Sequence, residues 1–390
     1  MNELALLFLL LPVAALSGWL LGRRGSERSS GARVNELSTS YFRGLNYLLN
    51  EQQDKAIEVF LKLAEINRDT VETHLALGNL FRRRGEVERA IRVHQHLIAR
   101  PNLSESEKTV ALLELGEDYM RAGLLDRAET LFSDLVAMDA LAPSALRHLI
   151  GIYQHERDWN KAIEHARRLE KASGDSQAAI VAQFYCELAE QARAQADWGA
   201  ALAYLDQAEG VEGRCVRASI LRGHIESARG HLPQAIGAFE RVAEQDVDYV
   251  PEILAPLLDC YARAQQMQRA EAFLLEISQR YKGVSPVLAL AKLYASTRGE
   301  AVAIAYLNQT LRQRPSVRAL IALIDVSLDR SRGEARENLL LLRDLARKLL
   351  EGQAMYRCNR CGFGAKAHHW QCPSCKSWES VRPIHGVVGE

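Results

Sequence analysis

Net charge is the first thing missing from this 390-residue chain, where 49 basic residues are matched by 49 acidic ones. A protein that tracks phosphates carries a basic excess, so the composition indicates no nucleic-acid partner. Aromatics are scarce at 7% and there are only 10 prolines, a usage that suits helices better than sheet. Cysteine is sparse too, and its count of 7 is odd, which makes a poor disulfide framework. Four of these cysteines are crowded near the C-terminus, a pattern that points to metal in a reducing compartment. The rest is ordinary: 48% hydrophobic and 25% charged residues are those of a folded protein. The length exceeds what one core usually holds, a limit that a repeat array escapes because each repeat touches only its neighbours.

One long apolar run opens the chain. Leu4–Leu21 (LALLFLLLPVAALSGWLL) is uncharged over 18 residues, about the minimum for a bilayer span. Trp19 stands where an interfacial aromatic is expected, and Pro12 is tolerable in such a helix. A cleavable signal peptide is the alternative, with Ala15-Leu16-Ser17 as its cleavage site. Signal peptides carry positive charge ahead of the apolar core, however, and here only Asn2 and Glu3 precede it. Arg23, Arg24, Arg28 and Arg33 follow it instead, so the short N-terminus faces out and the remainder stays on the cytoplasmic side. Gly18 and Gly22 stand at small-xxx-small spacing, which suits contact with another membrane helix. Residues 1–22 are thus expected to be a transmembrane anchor and 23–34 a juxtamembrane linker whose arginines meet anionic membrane lipid.

From about residue 35 a helix–turn–helix pattern recurs. Its template is Leu75–Ile91, in which Leu77, Gly78 and Phe81 share a helical face, Gly85 breaks the helix, and a second helix carries Ala90 and Ile91. The small residue of the second helix recurs at Ala56, Ala90, Ala128, Ala162, Ala201, Ala235, Ala270 and Ala303, at gaps of 34, 38, 34, 39, 34, 35 and 33. Twelve positions earlier stand Gly44, Gly78, Gly116, Ala189, Gly223 and Ala291, with Ile150 and Leu258 as departures. The first-helix aromatic recurs as Tyr47, Phe81, Tyr119, Tyr153, Tyr261 and Tyr294, and a second-helix aromatic as Phe60, Phe132 and Phe239. This resembles the tetratricopeptide repeat, whose period is about 34 residues, although no repeat carries that family's first-helix tryptophan. The two longer gaps call for extended helices or turns. Residues 35–352 are expected to hold eight to nine such repeats, ending in the pair Val317–Asp329 and Glu334–Leu350. The leucines at 339–342, 345, 349 and 350 leave this last helix apolar over much of its circumference, which predicts burial on more than one side.

Several other residues have plain explanations. Cys186, Cys215 and Cys260 stand alone within helices and read as small core residues. His94 and His96 are two apart and share no helical face, while His74 occupies a packing position, so no second metal site is expected. Arg82-Arg83-Arg84 reads as a solvated turn.

At residue 353 the pattern changes. Cys358-Asn359-Arg360-Cys361 and Cys372-Pro373-Ser374-Cys375 are two C-x-x-C pairs ten residues apart. Each tight turn sets two sulfurs on one side, with backbone N–H groups free to donate to them, and two such turns supply the four thiolates of a tetrahedral site. The soft thiolate neutralises a divalent ion at a bond of about 2.3 Å. Residues 353–390 are too few to build a core unaided, so the ion is part of the fold. Four thiolates close the site, leaving no position for a substrate. His368 and His369, between the pairs, are expected at the surface or just behind the ligands. The pairs resemble rubredoxin knuckles, but Lys376 replaces the glycine expected after the last cysteine and the knuckles stand closer together. Glu351–Ala354 is so short a link that the ribbon should dock on the final repeats.

Taken together, these parts are those of an all-α tetratricopeptide-repeat superhelical solenoid with an N-terminal transmembrane helix and a small C-terminal rubredoxin-like metal ribbon. The arrangement resembles the lipopolysaccharide assembly protein B family of Gram-negative bacteria from end to end, including Gln52-Gln53-Asp54-Lys55-Ala56 and Leu77-Gly78-Asn79-Leu80-Phe81. The resemblance implies a non-enzymatic adaptor at the cytoplasmic face of the inner membrane that regulates lipopolysaccharide synthesis. It implies that Cys358, Cys361, Cys372 and Cys375 hold one ion, iron or zinc. The partners it implies are the membrane protease FtsH, the deacetylase LpxC whose proteolysis is promoted, and the lipopolysaccharide transport machinery. A membrane-tethered electron-transfer protein and a general tetratricopeptide cochaperone are the alternatives. The sequence leaves open whether the array forms a homo-oligomer.

Overall fold

The computed structural model describes residues 39–47, 49–50, 52–66 and 71–390. The apolar run Leu4–Leu21 and the linker after it lie outside the described residues. Among the described residues no helix is long and apolar enough to cross a membrane.

The chain forms two compact units, one up to Arg157 with Lys171–Ser173, the other Asp158–Glu170 with Gly174–Glu390. In the first are α1 (39–47), α2 (Gln53–Ile66), α3 (Val71–Arg84), α4 (Val87–Ile98), α5 (Glu105–Arg121), α6 (Leu125–Ala137) and α7 (Ala142–Glu156). Then come α8 (Trp159–Ser173), α9 (Ala178–Ala194), α10 (Trp198–Val211), α11 (Val216–Ala228), α12 (Leu232–Gln245) and α13 (Val250–Arg263). The last five are α14 (Met267–Arg280), α15 (Ser285–Thr297), α16 (Glu300–Gln313), α17 (Val317–Leu328) and α18 (Glu334–Leu350). From α2 to α7, and again from α9 to α18, each helix packs on the next. Alternate helices touch as well: α3 on α5, then α9 on α11, α11 on α13, α13 on α15 and α15 on α17. This is the nearest-neighbour packing of a tetratricopeptide array.

The repeated small residues do the same job at each turn of the pattern. Ala56, Ala90, Ala128, Ala162, Ala201, Ala235, Ala270 and Ala303 are all 0% exposed. Four residues on from Ala56, Ala90, Ala128 and Ala235, the second helix sends a side chain across to the first. A methyl group added at Gly44, Gly116 or Gly223 would overlap the ring of Phe60, Phe132 or Phe239 respectively. The glycine is therefore a socket for the aromatic. In the second repeat the socket is Gly78 and the occupant is His94.

Turns follow the same register. Seven residues after the socket position, Gly85, Gly123 and Gly230 end their helices with φ of 88, 76 and 80°, the left-handed cap that glycine adopts without strain. Seven residues after Ile150, Ala189 and Leu258, Arg157, Ala196 and Gln265 take the same cap at φ near 60°, at a cost of roughly 1–2 kcal/mol each, whereas Arg298, seven after Ala291, does not. Both long gaps contain 17-residue first helices, α5 and α9, and the first also a longer turn, 99–104. The segment around Pro101 leads into Ser104, which caps α5 by accepting the N–H of Glu107 while Glu107 accepts the N–H of Ser104.

α18 departs from expectation. Its Ala346 is buried, but Leu341, Leu342, Leu345 and Leu349 all lie open. The helix packs on α17 through one face only, because the ribbon that follows it turns away to dock elsewhere.

Candidate metal centre

After α18 the chain forms a three-stranded antiparallel sheet in the order β2-β1-β3, with β1 Tyr356–Cys358, β2 Gly364–Ala365 and β3 Val381–Pro383. Tyr356 faces Ala365 on one side and Pro383 on the other. Each C-x-x-C pair closes one knuckle, and the two are built alike. In the first, Gly362 N donates to Cys358 O at 3.0 Å and Cys358 N to Phe363 O at 2.8 Å. In the second, Lys376 N donates to Cys372 O and Cys372 N to Ser377 O, both at 2.9 Å. The residue after each second cysteine is left-handed, Gly362 at φ 78° and Lys376 at φ 58°. Lys376 thus keeps the conformation whose usual residue it replaces, accepting the strain of a Cβ there.

The knuckles bring the four sulfurs of Cys358, Cys361, Cys372 and Cys375 within 4.8 Å of one another. Two cross-knuckle pairs, Cys358–Cys375 and Cys361–Cys372, stand at 3.7 Å. A tetrahedron with metal–sulfur bonds of about 2.3 Å has edges of about 3.8 Å, so the donor set fits one ion. Polar groups already point at the sulfurs. The Ser380 hydroxyl (3.4 Å) leads in pushing the Cys358 thiol down to about 6, with help from the N–H groups of Cys361 and Arg360 and against the effect of burial. The Ser377 hydroxyl and N–H lower Cys375, while burial pushes Cys372 up to about 11. A bound ion holds all four as thiolates, and those donors then tune its charge. Cys358 and Cys372 are buried while Cys361 and Cys375 face outward. The four cysteines form a closed tetrathiolate metal-binding site. Zinc and iron both accept this donor set.

Docking of the ribbon is tighter and broader than its short link alone suggests. Trp370 and Trp378 flank the second knuckle, and the guanidinium of Arg217 on α11 lies over both rings, at 5.6 and 5.7 Å. Arg217 is only 2% exposed and is neutralised by Glu187 at 2.8 Å and Glu190 at 2.6 Å, both on α9. Trp378 also meets the edges of Trp159 and Phe184. Trp370 stacks on Tyr249 at 5.2 Å. Around these rings run polar ties: Gln183 Nε2 donates to Glu379 at 2.8 Å, Arg382 pairs with Asp246 at 2.5 Å, and Tyr356 Oη donates to Glu252 at 2.5 Å. Beyond β3 the tail continues along α15 and α17, where Val317 N donates to Val387 O at 2.8 Å and Arg318 Nε to Gly389 O at 3.1 Å. The ribbon therefore docks along α8 to α17 and not on the final repeats alone.

Other expectations change for identifiable reasons. His368 is not among the clustered ligand atoms. It is enclosed by Trp370, Tyr249 and Tyr356, and burial, with positive charge nearby, pushes its imidazole down to about 4. Cys186 and Cys215 are not alone, since the packing of α11 on α9 brings their sulfurs to 3.8 Å. Cys260 is a buried core residue. Of the three arginines read as a solvated turn, Arg83 is exposed, whereas Arg84 pairs with Asp54 at 2.6 Å and Glu86 at 2.9 Å. Arg82 lies under three carboxylates of α5, reaching Glu114, Glu117 and Asp118 at 2.7, 2.8 and 2.7 Å. Asp118 is 0% exposed and also takes His94 Nδ1 at 2.5 Å. Sequence reasoning passed over Arg217, Tyr249 and Gln183. The available signal was two tryptophans beside one knuckle in a module of about 35 residues, more aromatic surface than so small a fold can cover by itself.

Comparison with known proteins agrees with this architecture. The rubredoxin metal binding domain profile matches residues 356–383, and the tetratricopeptide repeat profile matches 113–177 and 186–249. Among solved structures, the C-terminal part of a tetratricopeptide-repeat protein from Cytophaga hutchinsonii covers 61% of this chain and 93% of its own, at 14% identity and a TM-score of 0.42. That likeness is too slight to add to the assignment. The chain is 40% identical over 387 residues to lipopolysaccharide assembly protein B of Escherichia coli (strain K12), covering 99% of this chain and 100% of that one. It is 37% identical over 388 residues to lipopolysaccharide assembly protein B of Haemophilus influenzae, covering 97% and 98%. Collinear in repeats, ribbon and length with these relatives, the chain belongs to the lipopolysaccharide assembly protein B family.

Proposed function

We propose that this protein is a non-enzymatic scaffold of lipopolysaccharide assembly, anchored in the inner membrane by Leu4–Leu21 with its bulk on the cytoplasmic side. It acts as an adaptor that brings the deacetylase LpxC to the membrane protease FtsH and so limits lipid A precursor synthesis. Full-length collinearity with relatives named as lipopolysaccharide assembly proteins carries this reading. The geometry is consistent with it: a stack of helix pairs offers side-chain surface to proteins, and the sulfur site is closed to substrates. Cys358, Cys361, Cys372 and Cys375 hold one iron or zinc ion that keeps the ribbon folded. Confinement to the membrane that carries the protease raises the effective concentration of adaptor beside it without any new contact.

The experiment supplies the full chain to cells lacking their own copy and follows the half-life of LpxC. A half-life shortened only when FtsH is present is expected. Unchanged turnover overturns the adaptor reading, and a reversible iron colour with function lost on zinc substitution replaces it with electron transfer. Exchange of Leu4–Leu21 for an unrelated membrane helix then asks whether that segment tethers or also contacts the protease.

A further inference from the structure

α18 ends the helical array with a bare apolar face. Leu341, Leu342, Leu345 and Leu349 are 60, 53, 50 and 60% exposed. Glu334, Glu337, Leu341, Leu345 and Lys348 follow the 3-4-4-3 spacing that keeps residues on one face of a helix. Charge on this face is sorted along the axis. Glu334 and Glu337 stand at its first turn and Lys348 at its last, and none of the three makes an ion pair among the described residues. Arg343 and Arg347, by contrast, turn toward α17 and Asp325.

We propose that this face is a self-association surface on which α18 pairs antiparallel with α18 of a second copy. A two-fold axis crossing the helix near residue 343 sets Leu341 against Leu345 of the other copy, in both directions at once. The same operation lays Lys348 beside Glu337 of the second copy, twice, and opposes the helix dipoles. An acidic end, an apolar middle and a basic end are self-complementary only in that orientation. A lipid surface fits less well, because helices that lie on membranes carry basic residues along their polar flank, whereas here one end is acidic. The uncharged Leu4–Leu21 run offers nothing to either charged end. One 17-residue helix is about 25 Å long, so the contact is small and the dimer is concentration-dependent.

The test is the mass of the full chain in detergent micelles, measured by sedimentation over a concentration series. A monomer–dimer equilibrium is expected. Leu341→Ser with Leu345→Ser should weaken it by at least about tenfold, since two apolar side chains leave the centre of the contact. Both positions are exposed, so the melting temperature should hold. Glu337→Lys alone should weaken it several-fold, and Glu337→Lys combined with Lys348→Glu should restore it to within about twofold. A monomer at every concentration, a dimer indifferent to these changes, or failure of the charge exchange to rescue overturns the proposal. So does loss of binding to anionic vesicles on Leu341→Ser with Leu345→Ser in a chain that stays monomeric, which assigns the face to lipid. A dimer that appears only after residues 1–30 are removed assigns it to the chain's own N-terminal segment.

Discussion

Arg217 and Asp118 are both charges taken almost wholly out of water, at 2% and 0% exposure, yet what covers them differs. Asp118 is covered from within the array: His94 and Arg82 of the preceding repeat reach it at 2.5 and 2.7 Å. Arg217 is covered by Trp370 and Trp378, which belong to the ribbon that carries the tetrathiolate site. Burying an unpaired charge is costly in either place. At Asp118 the compensation comes with the helices themselves. At Arg217 the pairing likewise comes from a helix, through Glu187 and Glu190 of α9, and it is the cover that comes from the ribbon.

Removing the ion is the strongest way to break this comparison. Structural tetrathiolate sites contribute on the order of 10–16 kcal/mol at neutral pH. Chelation, or Cys358→Ser with Cys372→Ser, should therefore unfold the ribbon, free both tryptophans and shift their emission to the red. Amide exchange should rise in β1, β3, α9 and α11 while α3 to α6 keep their protection. Equal loss in both regions would show that the two charges share one fate.

The single-residue changes are smaller. Arg217→Ala leaves Glu187 and Glu190 without their partner and should cost about 3–5 kcal/mol, read by urea denaturation of the metal-loaded protein. Most of that cost should vanish once metal is stripped. Asp118→Ala should cost a similar amount whatever the metal content. In a later repeat the slots of His94 and Asp118 are filled by Leu205 and Ile225, both buried, so His94→Leu with Asp118→Ile should recover most of the loss.

The smallest effect is acid sensitivity at His368. Its imidazole is pushed down from 6.5 to about 4, chiefly by burial, so below pH 6.5 the unfolded chain binds a proton that the folded chain refuses. Docking carries no penalty from this group above pH 6.5 and loses up to about 3 kcal/mol as the pH falls toward 4. His368→Phe should flatten that part of the stability profile and leave it unchanged at pH 7.5.

The alanine and glycine register was legible in the sequence because helical packing imposes a short period on residues close along the chain. The four cysteines were legible for a similar reason, since one knuckle is a local turn. Gln183 and Glu379 are 196 residues apart, and a single sequence holds no period that links them. Arg217 was hidden because a buried arginine is unusual. Its burial depends on two tryptophans that become neighbours only when the ribbon folds back. The leucines of α18 misled in the opposite sense, since apolar circumference signals burial only where a partner arrives to supply it.

A row of stacked helix pairs is normally springy, since each joint bends independently and distant parts do not feel one another. Here one strap of chain runs back across those joints, gripping α9 at Gln183, α11 at Arg217, α13 at Glu252 and α17 at Val317. Bending any joint beneath it would stretch or tear the strap, so this stretch should behave like a laced splint and come apart all together instead of fraying pair by pair. A protein landing on its free side meets a surface that is already stiff and surrenders little freedom on arrival.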